Sequence, residues 1–329
     1  MSRRVERVLI SRAARRLGLA ALGATAAVVV VPDVLRLDRR LPMIATVAWR
    51  PQAVVGTAVA ASVLAAARPT RRAGAVLGVV AAAGAVAVAH RTSIRSVERA
   101  SGELVTVLSA NVFTGRADTG ALAALIGREQ PDFVVLPEAG CDFLDKLLPL
   151  VADLGYRGWA ATEPGAADIR GVVLLAGPRA GAVDVQPGRG LLYRHVRASG
   201  GLLGARALFA VHTAAPRTPR LAGRWRRDLA LVSRWTRTTP APIVAGDFNA
   251  TLDNAPMRAA LGGCVPAAQG RRALTGTYPA DLPRWFGIGI DHVLVPAEAT
   301  AMDVVVHDVA GSDHRAVLAR FRLPDPAAD

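Results

Sequence analysis

The chain has 329 residues, of which 52% are hydrophobic and only 5% aromatic, and its formal net charge is +14. This apolar content excludes intrinsic disorder for most of the chain. Two cysteines, Cys141 and Cys264, exclude a disulfide-dense scaffold and a thiolate zinc cluster; they allow one bridge at most, and the sequence does not decide whether it forms.

The positive charge is concentrated in the first hundred residues. Residues 1–100 carry 16 arginines against four acids, whereas residues 101–329 carry 24 basic and 22 acidic side chains, a net charge of +2. A protein that reads a phosphate backbone is expected to have a broad basic surface. The nearly neutral remainder therefore argues against strong nucleic-acid binding.

Three stretches near the N-terminus contain no charged side chain, namely residues 17–32, 51–67 and 73–90. At about 1.5 Å per residue, helices of this length cover most of a hydrocarbon core of about 30 Å, and flanking arginines can reach the headgroups. Residues 75–89 show no polar face at helical spacing, which disfavours a soluble bundle. We predict a transmembrane region at 17–90 with about three helices, two being the alternative, between a basic cytoplasmic leader at 1–16 and a linker at 91–103.

The arginine distribution favours one orientation of these helices. With the N-terminus in the cytoplasm, the inside segments hold nine arginines and the outside segments six. Positively charged segments are preferentially retained in the cytoplasm. Three crossings then predict a multi-pass cell-membrane protein in contact with the lipid bilayer, with residues 101–329 outside the cytoplasm.

From Glu103 onward, short apolar runs rich in β-branched residues alternate with a few helical patterns. Strands are predicted at residues 104–110, 133–136, 171–176, 207–212, 243–245, 290–295, 302–307 and 316–321. Apolar spacing predicts helices at 119–129 and 221–236. This pattern over residues 104–323 indicates a layered α/β or α+β domain, followed by a frayed tail at 324–329.

The second of these helices is rich in arginine. Residues 217–237 contain seven arginines against the single acid Asp228. Trp225 and Trp235 recur with aliphatic residues at helical spacing, which predicts that both face the core. The arginine face is then solvated, with a membrane-facing or phosphate-steering patch as the alternative.

Polar side chains stand at the ends of six of the predicted strands or interrupt them. In chain order they are Asn111, Glu138, His212, the pair Asp247 and Asn249, Asp291, and the triplet Ser312-Asp313-His314. Any one of them could be a turn former, but a carboxylate inside an apolar strand, such as Asp291, needs a partner. Carboxylates, amides and imidazoles without thiolates suit Mg²⁺ or Mn²⁺. Such an ion together with an Asp–His pair is what phosphoester hydrolysis needs.

The chain resembles the endonuclease/exonuclease/phosphatase superfamily in six segments: VLSANV, VVLPEA, VHTAAP, AGDFNAT, GIDHVLV and GSDHRAV. That superfamily includes deoxyribonuclease I, exonuclease III, neutral sphingomyelinases and inositol polyphosphate 5-phosphatases. The resemblance covers residues 104–323. It implies a four-layered αββα sandwich, in which two mixed β-sheets pack face to face with helices outside, and a phosphoric ester hydrolase that uses Mg²⁺ (or Mn²⁺).

The resemblance also implies roles for individual residues. Asn111, Glu138 and Asp313 would face the metal, with Glu138 as the principal ligand. His212 would contact the phosphate or assist the leaving group.

The remaining roles concern the attacking water and the phosphate. Asp247 would orient or deprotonate the water, and Asn249 would hold a phosphate oxygen. Asp291 would pair with His314 and keep that imidazole positioned on the scissile phosphate.

Two features bear on the substrate: one residue that departs from the family's pattern, and the helices that precede the domain. Several nuclease members have an Asp two residues after the first Asn, where this chain has Phe113. Helices before such a domain are similar to the membrane-bound members associated with glycopeptide-resistance clusters, the vancomycin-resistance J protein type, which suggests a lipid-linked phosphate or pyrophosphate. The alternatives are a membrane-tethered extracellular nuclease and a catalytically silent binding or scaffold member.

Overall fold

The computed structural model describes residues 3–93, 102–163 and 165–324. The chain divides into two compact units, with the boundary between Arg91 and Thr92. Residues 1–2 of the predicted leader, 94–101 of the predicted linker and 325–329 of the predicted tail lie outside the described residues.

The first unit is helical. Its helices are α1 (Arg3–Val30), α2 (Met43–Ala48), α3 (Arg50–Ala66) and α4 (Arg71–Arg91). Among the described residues, two segments are long and apolar enough to cross a membrane, Ala13–Val30 within α1 and Arg71–Arg91. A helix also forms at the middle uncharged stretch, but α3 has only 17 residues. By length and composition, such helices are found in membrane anchors and, near an N-terminus, in signal sequences.

Small residues and one buried ion pair hold this unit together. A Cβ at Gly74 in α4 would lie 2.6 Å from the Ala65 backbone nitrogen and 2.7 Å from the Ala61 carbonyl oxygen in α3, so only glycine permits this approach. Arg50 is 1% exposed; its Nε donates to the Val30 carbonyl at 2.9 Å and its guanidinium pairs with Asp33. These bonds satisfy a buried cation that would otherwise be costly.

The second unit contains two six-stranded sheets. Across the first sheet the strands are β11 (Thr300–Asp308), β12 (Arg315–Arg322), β1 (Leu104–Ser109), β2 (Phe133–Pro137), β4 (Val172–Ala176) and β3 (Arg157–Ala161). Across the second they are β5 (Val183–Gly188), β6 (His195–Gly200), β7 (Ala207–His212), β8 (Ile243–Asp247), β10 (Asp291–Pro296) and β9 (Cys264–Pro266). Both sheets are mixed, because β1–β2 and β7–β8 are parallel pairs and the other neighbours are antiparallel.

Four helices lie outside these sheets. They are α5 (Thr119–Glu129), α6 (Cys141–Val151), α7 (Pro219–Thr238) and α8 (Ala255–Leu261). One apolar core contains side chains from both sheets, and a second joins the first sheet to α5 and α6. The predicted four-layered αββα sandwich of two mixed sheets is therefore confirmed.

Strand β2 shows why these strands are continuous apolar runs. Phe133 and Val135 enter the core between the sheets, while Val134 and Leu136 pack towards the helices. All four are fully buried, because neither face of the strand meets solvent.

Several elements were not predicted from the sequence: β3, β5, β6, β9, α6 and α8. Strand β5, at the edge of its sheet, has the sequence VDVQPG and is largely exposed, so it has no buried apolar run to reveal it. Helix α6 contains Pro149, a residue that disfavours a helix, although its buried residues recur at helical spacing. Cys141 and Cys264 are free thiols, so the one allowed disulfide does not form.

Helix α7 confirms the prediction made for Trp225. That side chain is 0% exposed, and its Nε1 donates to the Phe248 carbonyl at 3.2 Å. Trp235 stacks on Phe209 with ring centroids 4.7 Å apart. Trp225 is therefore part of the core, and Trp235 is half-buried with its ring packed on Phe209.

The topology brings the polar strand ends to one edge. Parallel strands end at the same edge of a sheet, so Asn111 and Glu138 leave β1 and β2 side by side, as His212 and Asp247 do at β7 and β8. The antiparallel strand β10 begins at this edge, with Asp291 paired to Asp247. Strand β12 also begins there, antiparallel to β1 and directly after His314.

Candidate active site

Asn111 joins the two carboxylates that the resemblance assigns to metal and water. Its Nδ2 donates to Glu138 Oε1 at 3.2 Å and to Asp247 Oδ2 at 3.0 Å, and its Oδ1 accepts from the Phe113 amide at 2.9 Å. Asn111 is 0% exposed. It therefore links the end of one sheet to the end of the other and sets the position of both carboxylates.

The backbone at two of these strand ends takes unusual conformations. Glu138 has a φ of +60°, and its Oε2 accepts from the Thr114 amide at 2.8 Å. Gly246 has a φ of +145°, and a Cβ there would overlap the Val211 carbonyl oxygen on the parallel neighbour β7. A left-handed non-glycine residue is held only where its surroundings determine it, and such residues concentrate at functional sites.

His212 lies at the centre of the site as a neutral imidazole. Its Nε2 is 3.8 Å from Glu138 Oε1 and 3.9 Å from Asp247 Oδ2. Burial, followed by the positive charge of His314, lowers the pKa of His212 to about 3. At neutral pH these are therefore contacts of a neutral ring, not ion pairs.

Asp291 and His314 form the predicted pair. Asp291 Oδ2 lies 2.9 Å from His314 Nδ1, and both side chains are buried. Burial lowers the pKa of His314, but the charge of Asp291, its hydrogen bond, and the charges of Asp247 and Asp313 outweigh burial and raise the pKa to about 10. His314 is therefore an imidazolium at neutral pH, with Nε2 4.0 Å from Asp247 Oδ2 and 4.0 Å from Asp313 Oδ1.

Asp247 is placed to exchange a proton near neutral pH. Burial first, and the charge of Asp291 second, raise its pKa to about 7, although His314 and hydrogen bonds from Asn249 and Asn111 lower it. A general base works best when its pKa is close to the working pH.

The remaining two predicted residues, Asn249 and Asp313, differ in their hydrogen bonding. The Asn249 backbone amide donates to Asp247 Oδ1 at 2.7 Å, and its Nδ2 donates to the Thr213 carbonyl at 3.0 Å and to Asp247 Oδ2 at 3.3 Å. Asn249 thus orients Asp247 here, with both amide hydrogens used. Asp313 Oδ1 is buried and has no hydrogen-bond donor among the described residues.

The donor set fits a hard divalent cation. Ligand atoms of Glu138, His212 and Asp247 lie within 4.8 Å of one another, and Asp247, Asp291 and His314 form a second such group. Neither group includes Asp313. Within the described ranges no arginine pairs with Glu138, Asp247 or Asp313, so a cation would offset converging negative charge.

Two tyrosines that sequence reasoning missed lie against the site histidines. Tyr193 stacks on His212 with ring centroids 4.7 Å apart, and Tyr278 packs on His314 at 4.8 Å. Both lie in irregular segments that carry no periodic signal. The chain has only three tyrosines, and this scarcity is the one signal in the sequence that could have drawn attention to them.

Comparisons with known proteins agree on the fold. A similar solved structure is an endonuclease/exonuclease/phosphatase from Beutenbergia cavernae DSM 12333, with 20% identity, 67% of this chain and 72% of that chain covered, and a TM-score of 0.51. A 3′ phosphatase from Neisseria bound to a product DNA hairpin has 15% identity, 67% and 100% coverage, and a TM-score of 0.53. Humanized D. rerio TDP2 has 15% identity, 67% and 99% coverage, and a TM-score of 0.53. No curated protein sequence matches significantly.

At these low sequence identities the solved structures show only the fold. The family of the chain is shown by its match to a family model. The model described as Endonuclease/Exonuclease/phosphatase family matches residues 108–314, more than half of the chain. Members of this family are phosphoesterases and nucleases that use divalent metals, and the carboxylate cluster could hold such an ion. The chain therefore belongs to the endonuclease/exonuclease/phosphatase family.

Proposed function

We propose that the second unit is a phosphoesterase or phosphoanhydride hydrolase that requires Mg²⁺ or Mn²⁺. In this proposal the first unit anchors it to the cell membrane, and it acts outside the cytoplasm on a lipid-linked phosphate or pyrophosphate. The observation that carries the hydrolase assignment is the convergence of Asn111, Glu138, His212, Asp247 and the Asp291–His314 pair at one edge of the sandwich.

Glu138 is the carboxylate that would hold the metal, with Asp313 beside His314 as a further candidate, while Asp247 acts on the attacking water. When bound, a divalent cation offsets negative charge on the phosphate oxygens. Asp247 orients the attacking water and accepts its proton, since its pKa of about 7 leaves a substantial fraction ionised at neutral pH. Asn111 and Asn249 hold the Asp247 carboxylate from two sides.

The two histidines divide the remaining work because their surroundings move their pKa values in opposite directions. His314, protonated and fixed through Nδ1 by Asp291, presents Nε2–H to a phosphate oxygen and stabilises the charge that develops there. His212, neutral and stacked on Tyr193, contacts the phosphate or the leaving oxygen without carrying charge.

Exposed aromatic side chains on the loop that follows Tyr278 support a substrate held at a lipid surface. Trp285 is 77% exposed and Phe286 is 39% exposed, at the end of a loop that begins near Tyr278. Arg315, which follows His314, ties this loop to the site by donating to the Ala280 and Leu282 carbonyls at 2.6 Å each. Exposed tryptophan is characteristic of binding surfaces and of the membrane interface.

Two other functions remain as alternatives with less support. A tethered extracellular nuclease is disfavoured by the net charge of +2 on residues 101–329. Phe113 also disfavours it, since it stands where several nuclease members have an Asp. A catalytically silent scaffold is disfavoured by the completeness of the bonded set around Asp247.

The experiment uses the purified full chain in detergent. Candidate substrates are farnesyl diphosphate, sphingomyelin, an inositol phosphate and plasmid DNA, each with Mg²⁺ and with EDTA. We expect metal-dependent release of phosphate from farnesyl diphosphate, lost in Asp247→Asn and retained in Asp145→Asn, a matched change of an exposed carboxylate on α6. Preferential cleavage of DNA would establish the nuclease instead, and turnover of no substrate would favour the silent scaffold.

A further inference from the structure

A groove of about 440 Å³ lies beside the site and is not used by the chemistry described above. Its walls are residues 189–194, the loop between β5 and β6, together with Glu163 and Arg170. Tyr193 is both a wall of this groove and the ring that stacks on His212 at 4.7 Å. The Tyr193 ring therefore stands between His212 and the groove.

The groove is lined by positive charge. Arg194 is occupied, since its Nε and terminal nitrogen donate to the two oxygens of Glu163 at 2.7 and 2.9 Å. Arg170 and Arg189 are exposed and neither makes an ion pair within the described part of the chain, although the charge of Arg189 adds to the Arg194 hydrogen bond in lowering the pKa of Glu163. The groove thus presents two available guanidinium groups, which bind phosphate with paired hydrogen bonds.

The first sheet sets the position of Arg170 at the groove. It ends a short turn, Asp168–Arg170, two residues before β4, and Val172 in β4 pairs with Pro137 immediately before Glu138. Asp168 fastens the turn by accepting from the Gly140 amide at 2.8 Å. Arg170 therefore approaches the groove from the side of the Glu138 carboxylate.

The loop that carries Arg189 is held by the second sheet and its helix. Asp228 on α7 is 0% exposed and accepts from the Leu192 amide at 3.1 Å and from the Ala214 amide at 3.0 Å, two residues after His212. Arg224 pairs with Asp228 at 3.0 Å and donates to the Gly190 carbonyl at 2.7 Å. A buried carboxylate thus fastens the groove loop to the chain that carries His212.

We propose that Arg170 and Arg189 form a binding subsite for a second phosphate of the substrate, so that the enzyme selects diphosphates over monophosphates. This inference rests on the proposed hydrolase function. The terminal phosphate would face Asp247 and His314 from the open side of the site, and the inner phosphate would lie in the groove beyond Tyr193.

The subsite also bears on the reaction. A water oxygen bonds to the terminal phosphorus and its proton passes to Asp247, while the bond between that phosphorus and the bridging oxygen breaks. The electron pair remains on the bridging oxygen, which leaves with the inner phosphate as a monophosphate and gains negative charge. Arg170 and Arg189 would stabilise that charge as it develops, so the subsite would raise kcat as well as affinity.

The test measures binding without turnover. Pyrophosphate and orthophosphate are titrated onto the full chain in EDTA, so that metal chelation contributes nothing, and affinities are read by calorimetry. We expect wild-type protein to prefer pyrophosphate, Arg170→Gln and Arg189→Gln each to weaken pyrophosphate binding about tenfold, and the double variant to lose the preference. Arg234→Gln, an exposed arginine on α7, is the matched control and should bind both anions as wild type does.

Each outcome bears on the subsite separately from the proposed function. Equal binding of the two anions by wild type, or unchanged pyrophosphate affinity in the double variant at unchanged Tm, overturns the subsite whatever the enzyme hydrolyses. Loss of the preference in the double variant supports the subsite even if farnesyl diphosphate is not a substrate, in which case the lipid assignment alone fails. With farnesyl diphosphate as substrate, the double variant should lower kcat/KM for the diphosphate more than for farnesyl monophosphate, and equal losses would contradict the assignment.

Discussion

Asp291→Asn removes the negative charge that is hydrogen-bonded to His314 and preserves the size of the side chain. In the native protein Asp291 Oδ2 lies 2.9 Å from His314 Nδ1. The pKa of His314 is about 10 instead of the ordinary 6.5, because the charge and hydrogen bond of Asp291, helped by Asp247 and Asp313, outweigh burial. Without the Asp291 charge, less negative charge offsets the cost of burying the imidazolium. We therefore expect the pKa of His314 to fall towards its ordinary value or below it.

The size of the effect follows from the loss of that cation. Above its new pKa, the neutral ring no longer provides a charged contact to the phosphate in the transition state. The loss of one such contact costs about 10² to 10³ in kcat, which is about 3–4 kcal/mol at the transition state. The wild-type ring stays protonated across the neutral range, so the ratio of variant to wild-type activity should rise as the pH is lowered.

Two measurements check this reasoning. The first is kcat/KM for both proteins over about three pH units around neutrality, with the titration of Asp247 fitted separately in each protein because the charges of Asp291 and His314 both act on its pKa. The second is an NMR titration of the histidine rings, which is tractable because the chain has only six histidines. The His314 signal should titrate at a clearly lower pH in Asp291→Asn than in the wild type.

A double-mutant cycle gives the refuting result. Because Asp291 and His314 are proposed to act as one unit, the combination of Asp291→Asn with His314→Ala should lose little more activity than the worse single variant. Additive losses would show that the two residues act independently. Wild-type rates in all three variants would show that this pair has only a structural role.

Four further predictions concern the metal, the stability, the domain boundary and the topology. Glu138→Gln removes a carboxylate from the site and should raise the Mg²⁺ concentration required for half-maximal activity, whereas Asp145→Asn should leave it unchanged; equal requirements in both variants would remove Glu138 from the ligand set. His195 is buried against Trp235, and burial lowers its pKa to about 4 from 6.5, so the unfolded chain takes up this proton first and the free energy of unfolding should fall as the pH drops from about 6.5 to about 4. His195→Gln should remove up to about 3 kcal/mol of that pH dependence in denaturant titrations, and identical curves would contradict the assignment. Residues 102–324 expressed alone should melt cooperatively without detergent, and aggregation in every buffer would count against an autonomous domain. Alkaline phosphatase fused to the C-terminus should be active if this unit lies outside the cytoplasm, and an inactive fusion with a fluorescent cytoplasmic reporter would reverse the orientation.

Most of the elements that were predictable from the sequence bury a continuous apolar run or an apolar face at regular spacing. Strands β2 and β7 are continuous apolar runs because both of their faces are covered, and α5 shows its buried face at helical spacing. The edge strand β5 escaped prediction because its burial is partial and its sequence contains polar residues, proline and glycine, whereas the edge strand β11 was predicted at 302–307 from its run of β-branched residues. The αββα arrangement itself came from the resemblance of six segments to a family and not from periodicity.

The candidate site was predictable as a set of residue types at strand ends but not as an arrangement. Polar residues such as Glu138 and Asp247 are visible where a buried strand stops. That Asn111 bridges these two carboxylates depends on two sheets meeting at the same edge, which is a consequence of packing between segments more than a hundred residues apart.

By itself, then, the sequence determined which strands are buried, which side chains stand at their ends, and which family the segments resemble. Only the tertiary structure decided that Tyr193 covers His212, that Asp228 ties the groove loop to the site, and that Arg170 and Arg189 line one groove. The physical reason is that burial leaves a periodic trace in local sequence. A loop side chain is instead placed by hydrogen bonds to distant backbone groups, and those partners leave no mark in its own neighbourhood.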